Sequence, residues 1–204
     1  MSQRLVIVDY GMGNLYSVLS ALRYLGVEPI LSNEPSTVAN AEMLLLPGVG
    51  SFRSAANRLE KTGLADALRE AVLVKKRKIL GICLGLQLMA EYSEEDGGAF
   101  GLSFIPGAVS RFSSTANNKV PHIGFNEVQF KKESTLFSGL ENNVDVYFVH
   151  SFKLDICERP GLSSVCNYAG EFLAAYEHQN IFATQFHPEK SQTNGLRILS
   201  NFLT

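Results

Sequence analysis

Three times in its first half the chain passes from a short apolar run, through a turn, into a segment with apolar residues on one helical face. That alternation limits the possible folds more than any other feature. Arg4 to Val8 reads as a buried strand, and Asn14 is placed to cap a helix whose apolar face is Leu15, Val18, Leu19, Leu22 and Leu25, ending at Gly26. Met43 to Leu46 runs into the turn Pro47-Gly48-Val49-Gly50. Ser51 can cap the helical stretch behind it, and a further helix passes through Leu64, Leu68, Val72 and Lys75. Lys78 to Ile82 is the third strand, with Leu84 to Tyr92 helical after it. Strands that alternate with helices pair in parallel, helices cover both faces of the sheet, and reactive groups gather where strands end and helices begin. Asp9, Pro47 and Cys83 stand at such ends.

The second half is richer in β-favouring segments: Val144 to Leu154, Ser163 to Tyr168, Phe172 to Glu177 and Ile181 to Phe186, followed by a closing helix from Gly195 to Leu203. The expected class is α/β, an open and mostly parallel sheet flanked by helices, with an additional antiparallel strand region in the second half. A length of 204 residues with 46% hydrophobic and 19% charged content suits one domain, 1–204, with a single core. Ser93 to Gly98 and Ser113 to Lys119 read as surface connections.

Eighteen basic residues against twenty acidic ones give a formal charge of -2 with no block of one sign, so nothing points to a nucleic-acid track or a polybasic membrane arm. Leu5 to Val8 is too short for a secretory core, and no stretch approaches the roughly 18 apolar residues of a membrane helix. Cys83, Cys157 and Cys166 are odd in number and irregularly spaced, unlike a disulfide framework or paired zinc ligands. The expected setting is a reducing cytoplasm, with no metal. No cofactor is expected either: Gly11-Met12-Gly13 is not a dinucleotide fingerprint, because Tyr16 occupies the third glycine position.

Gly81-Ile82-Cys83-Leu84-Gly85 is a nucleophile elbow with sulfur in place of oxygen. Flanking glycines allow a turn that would crowd a Cβ, and the start of the following helix favours thiolate over thiol. Taken by itself, Cys83 is equally well read as a small buried residue at a strand end. Gln185-Phe186-His187-Pro188-Glu189 changes that balance, because it puts a histidine at the end of an apolar strand with a carboxylate one rigid proline later. Nucleophilic acyl transfer needs that set: an imidazole to take the thiol proton and return one to the leaving amine, and a carboxylate to hold the ring and its charge. The glycine-flanked Val49 and the residue after the nucleophile, Leu84, can offer backbone N-H groups to an oxyanion. A phosphate-binding or purely structural role for that turn remains open. His122, His150 and His178 read as structural histidines.

With these parts in place, the chain resembles the class I, triad-type glutamine amidotransferases. The matching segments are VDYGMGNL (Val8 to Leu15), LPGVGSF (Leu46 to Phe52), LGICLGLQLM (Leu80 to Met89), KVPHIGFN (Lys119 to Asn126), YFVHSF (Tyr147 to Phe152) and QFHPEKS (Gln185 to Ser191), which span nearly the whole chain. The DYGMGN, PGVGSF and HPEKS segments are most similar to the branch that serves imidazole glycerol phosphate synthesis in histidine biosynthesis.

The resemblance implies a flavodoxin-like sheet, Cys83 as nucleophile, His187 as base and Glu189 as its support, with Val49, Gly50 and Leu84 around the oxyanion. It also implies that L-glutamine is held by Gln87 and by the His150-Ser151-Phe152 backbone. The ammonia would pass to a (β/α)8-barrel cyclase subunit in a heterodimer, for use on a phosphoribulosyl-formimino carboxamide ribotide, with Asn14, Tyr147 and Lys190 facing that partner. Rearrangement of the backbone at Val49 would be the switch.

Two positions depart from the pattern: Phe125 stands where the family has Trp, and Phe152 where it has Tyr. They leave room for a paralogue that feeds a sugar-amidating synthase of surface polysaccharides. Two further alternatives are a catalytically silent regulatory module on the same scaffold and a cysteine hydrolase acting on another acyl group. Retention of the whole triad disfavours the first, and Gln87 with the YFVHSF segment disfavours the second.

Overall fold

The computed structural model describes residues 5–114, 119–141 and 143–204. Arg4 and part of the Ser113 to Lys119 connection lie outside them. The first half holds β1 (Leu5–Val8), α1 (Leu15–Tyr24), β2 (Ile30–Ser32), α2 (Pro35–Ala39), β3 (Met43–Gly48), α3 (Phe52–Lys61), α4 (Leu64–Arg69), β4 (Lys78–Cys83) and α5 (Leu84–Leu88). After them come β5 (Tyr92–Ser93), β6 (Ala99–Phe100), β7 (Ala108–Arg111), β8 (His122–Val128), β9 (Val144–His150), β10 (Phe152–Leu154), β11 (Leu162–Asn167), β12 (Glu171–His178), β13 (Ile181–Thr184) and α6 (Gln192–Leu203).

The main sheet has the order β11-β12-β13-β4-β3-β1-β2. The strands from β13 to β2 are mutually parallel, while β12 and β11 add antiparallel to that edge. This is the flavodoxin-like winding extended by an antiparallel pair. Because successive side chains point to opposite faces, β1 sends Val6 and Val8 into one core and Leu5 and Ile7 into the other. Residues of α2 to α5 fill the first core, and those of α1, α6, β8 and β9 fill the second. The central strand β4 thereby ends at Cys83 between two packed layers, and its neighbour β3 ends beside it, with Gly48 in register with Cys83.

Several elements differ from the sequence reading. The helix after Cys83 stops at Leu88 instead of Tyr92: Leu102 N donates to Leu88 O, and Phe104 N and Ile105 N donate to Met89 O. These chain contacts satisfy the helix-end carbonyls and turn the backbone away into β5. Asn14 stands at the start of α1 without capping it, its amide donating to Ser17 Oγ. Ser51 does cap α3, accepting from Ser54 N. The helix expected through Lys75 is α4 continued by a π-helical turn, Glu70–Val74. The strand expected over Val144 to Leu154 bends at Ser151, so that β9 pairs with β8 and β10 pairs with β7 in a separate sheet. Among the described residues no helix is long and apolar enough to cross a membrane.

Candidate active site

Cys83 holds φ +56° and ψ -107°, a conformation that residues with a Cβ seldom adopt. The turn around it leaves no room on either side. A Cβ on Gly81 would overlap the backbone of Gly85 and Leu86, and one on Gly85 would overlap Leu46 O. Only glycine lets strand, nucleophile and helix pass this closely, and the two glycines of the elbow are required for that reason.

His187 and Glu189 approach from the turn after β13. His187 Nδ1 lies 2.7 Å from Glu189 Oε1, with the two side chains 3% and 1% exposed. Burial alone pulls the imidazole toward its neutral form. The charges of Cys83 and Glu189, with the hydrogen bond to Glu189, outweigh it and raise His187 to about 10. Its Nε2 is buried and makes no closed hydrogen bond, and Glu189 Oε2 is likewise buried without a partner. Buried polar atoms left open carry a desolvation cost, and such costs collect at reactive sites. The turn is tied to β9 as well: His187 N donates to Tyr147 O, Ser191 Oγ donates to His187 O, and Tyr147 N donates to Ser191 Oγ.

In front of Cys83 lies a cleft of about 310 Å³. The structure brings to its wall the three residues expected around an oxyanion, Val49, Gly50 and Leu84, and the four expected to hold glutamine, Gln87, His150, Ser151 and Phe152. Gly48 is pressed between the Tyr10 hydroxyl and Leu84, so the β3 end can come this near only without a Cβ. That hydroxyl is buried and unpartnered, and burial followed by the charge of Cys83 raises its pKa.

Glu95, in a stretch that reads from sequence as a surface connection, also lines the cleft. Its Oε2 accepts from Phe52 N at 2.7 Å at the start of α3, and burial raises its pKa. A Glu-Glu-Asp run before two glycines, residues 94–98, is its only local mark.

Behind the cleft stands a pair of buried histidines. His150 Nδ1 is 2.8 Å from Phe152 O, His150 Nε2 is 3.1 Å from His122 Nδ1, and Asn126 Nδ2 is 3.4 Å from His122 Nε2. Burial lowers His122 to about 4 and His150 to about 3, so both rings are neutral near pH 7. A carbonyl can only accept, so Nδ1-H of His150 is the donor, its Nε2 accepts from Nδ1-H of His122, and Nε2 of His122 accepts from Asn126. His150 therefore contributes to the site as a fixed neutral support.

The three residues expected to face a partner lie outside the cleft. Lys190 Nζ sits 5.8 Å above the Tyr147 ring, and α1, which Asn14 precedes, packs on the Pro188–Lys190 turn. On the same two-stranded sheet, Phe125 meets Tyr147 edge to face at 5.5 Å, and Phe125 and Ile123 are exposed. Among the described residues no group of three or more His, Cys, Asp or Glu could hold a metal ion.

Cys83, His187 and Glu189 are thus brought together at one end of the sheet, and known proteins match the chain along nearly its whole length. The family model for glutamine amidotransferase class-I matches residues 6–204. A Campylobacter jejuni protein named imidazole glycerol phosphate synthase subunit HisH 1 is 45% identical over 98% of both chains. A HisH subunit of Chlorobium luteolum is 46% identical over 96% of this chain and 97% of its own. The chloroplastic hisHF protein of Arabidopsis thaliana is 43% identical over 97% of this chain and 33% of its own. In fold, the chain superposes on a putative GMP synthase subunit from Thermoplasma acidophilum with TM-score 0.75 at 21% identity, covering 100% and 93% of the two chains. The chain belongs to the class-I glutamine amidotransferase family and is a glutamine-hydrolysing enzyme.

Proposed function

We propose that the chain is the glutaminase subunit of an imidazole glycerol phosphate synthase, a single amidotransferase domain over 1–204 that passes ammonia to a separate cyclase. The observation that carries this reading is the strained Cys83 facing a cleft, with the buried His187-Glu189 pair behind it. Full-length identity to several HisH subunits supports the choice of pathway.

In this mechanism His187 Nε2 holds the proton given up by the Cys83 thiol, and the thiolate sulfur adds to the glutamine carboxamide carbon. The oxyanion is held by the Leu84 N-H and by the turn at Val49 and Gly50. The C-N bond then breaks, His187 protonates the departing ammonia, and a glutamyl thioester remains. Water, deprotonated by His187, adds to the thioester, and the C-S bond breaks to give glutamate. Gln87 and the His150 to Phe152 segment form the wall against which the substrate lies, and Glu95 offers a carboxylate suited to its ammonium.

The partner is a (β/α)8-barrel cyclase in a cytoplasmic heterodimer, docking over the face that carries Asn14, Tyr147 and Lys190. Exposed Phe125 and Ile123 beside Tyr147 support an interface there, since aromatic anchors concentrate binding energy. The Arabidopsis relative, in which this chain matches only a third, fits a scheme where the rest of that protein is the ammonia consumer.

Co-purification of the tagged chain from its source cell, followed by measurement of glutamate release with and without the formimino ribonucleotide, tests the assignment. Recovery of the cyclase with ligand-stimulated release is expected. Recovery of a sugar-modifying enzyme would replace the histidine-pathway assignment.

A further inference from the structure

Gln185 follows β13 and is fully buried, between the elbow and the support of the cleft wall. The orientation of its amide is fixed by a chain of hydrogen bonds that begins at an atom with only one possible role. Phe152 O is a carbonyl and can only accept, so the Gln87 amide atom 2.9 Å away is the nitrogen. That same Nε2 lies 3.1 Å from the Gln185 amide, which must therefore present Oε1 to it. The other end of the Gln185 amide is then Nε2, and it points at Cys83 Sγ from 3.7 Å.

Both N-H groups of Gln87 are used in this arrangement, and neither amide can turn over without setting two like groups against each other. The neutral His150 adds a second donor to Phe152 O and holds the acceptor in place.

We propose that Gln185 is a further catalytic residue of the glutaminase reaction, its Nε2-H donating to the Cys83 sulfur wherever that sulfur carries charge. This inference rests on the function proposed above. Sulfur is charged twice in the cycle. When the S-H bond breaks, its proton goes to His187 Nε2 and the electron pair stays on sulfur until the S-C bond forms. When the thioester is hydrolysed, the C-S bond breaks and the pair returns to sulfur before His187 gives the proton back. A preorganised donor aimed at the atom where charge develops stabilises both steps without any reorganisation. The neutral, fully buried amide meets this need because it adds a dipole and no competing proton.

Gln185→Met and Gln185→Glu test the proposal in the full chain and in its complex. Methionine fills the same space without the donor, and glutamate still accepts from Gln87 while turning an oxygen toward the sulfur. Losing one hydrogen bond to a charged atom slows a reaction by about 10-fold. The expected result at pH near 7.5 is therefore a drop of about 10-fold in Cys83 alkylation by iodoacetamide and in kcat for glutamate release in Gln185→Met, with KM within about twofold.

Gln185→Glu is expected to fall further. Alkylation of exposed Cys157, read from its own peptide in the same sample, is expected to be unchanged. Wild-type rates at Cys83 in either variant, or a raised KM at unchanged kcat, would overturn the proposal.

An arm that needs no Gln185 variant uses the side-chain amide proton resonance of Gln185. It is expected to move with deprotonation of Cys83 in the wild type and to stay still in Cys83→Ala, and a resonance static in both overturns the proposal. A wild-type complex that releases no glutamate would defeat the proposed function, whereas active glutaminase with unaltered variants would defeat only the role of Gln185.

Discussion

Lowering the pH from about 6.5 to about 5 is expected to cost the fold about 3 kcal/mol through the two neutral histidines behind the cleft. His122 and His150 are buried, and burial lowers their pKa values to about 4 and about 3, while the unfolded chain titrates near the ordinary 6.5. The unfolded state therefore takes up protons in this window that the folded state refuses. Stability is full above the unfolded pKa and is lost as pH falls toward the folded values. Integrating the uptake gives roughly 1 to 2 kcal/mol for each ring.

His187 acts in the opposite sense. Raised to about 10 by its pairing with Cys83 and Glu189, it is protonated in the fold across this interval and offsets only a small part of that loss. Urea unfolding at the two pH values, with extrapolation to water, reads the difference, and proton resonances of the three rings assign it. Equal unfolding free energies at both pH values, or a His122 or His150 ring that titrates near 6.5, would refute the neutral-pair account.

Two other substitutions separate geometry from chemistry. Gly85→Ala places a Cβ into Leu46 O and is expected to destabilise the chain by about 3 kcal/mol, with loss of glutaminase even in molecules that fold; thermal unfolding within a degree of wild type would show that the elbow can relax. Glu189→Gln keeps the shape but removes the charge that holds His187. It is expected to lower kcat by roughly 100-fold or more with little change in KM, and steady-state kinetics showing a KM effect instead would assign Glu189 to substrate binding.

Much of the fold is legible in the sequence because β1, β3 and β4 are buried on both faces and read as unbroken apolar runs. The elbow is legible because its requirement is local: the overlaps that demand glycine arise within six consecutive residues and their nearest strand. What could not be read depends on distant chain. The length of α5 is set by carbonyl contacts with Leu102 to Ile105, and the bend at Ser151 by the pairing of β10 with β7. Glu95 is a solvated acid by composition and becomes part of the cleft only through Phe52 N, 43 residues away in sequence. His122 and His150 lie 28 residues apart, and their neutrality comes from burial that neither segment reveals by itself. Gln185 is visible as a letter of the histidine segment, yet its direction follows only from Gln87 and Phe152 O.

The central claim is that Cys83 attacks glutamine while the partner only consumes ammonia. Cys83→Ala in the assembled complex tests it most directly, with product formation measured separately on glutamine and on ammonium salts. The account predicts loss of glutamine-dependent product with ammonia-dependent product intact. Glutamine-dependent turnover that survives the substitution would contradict it.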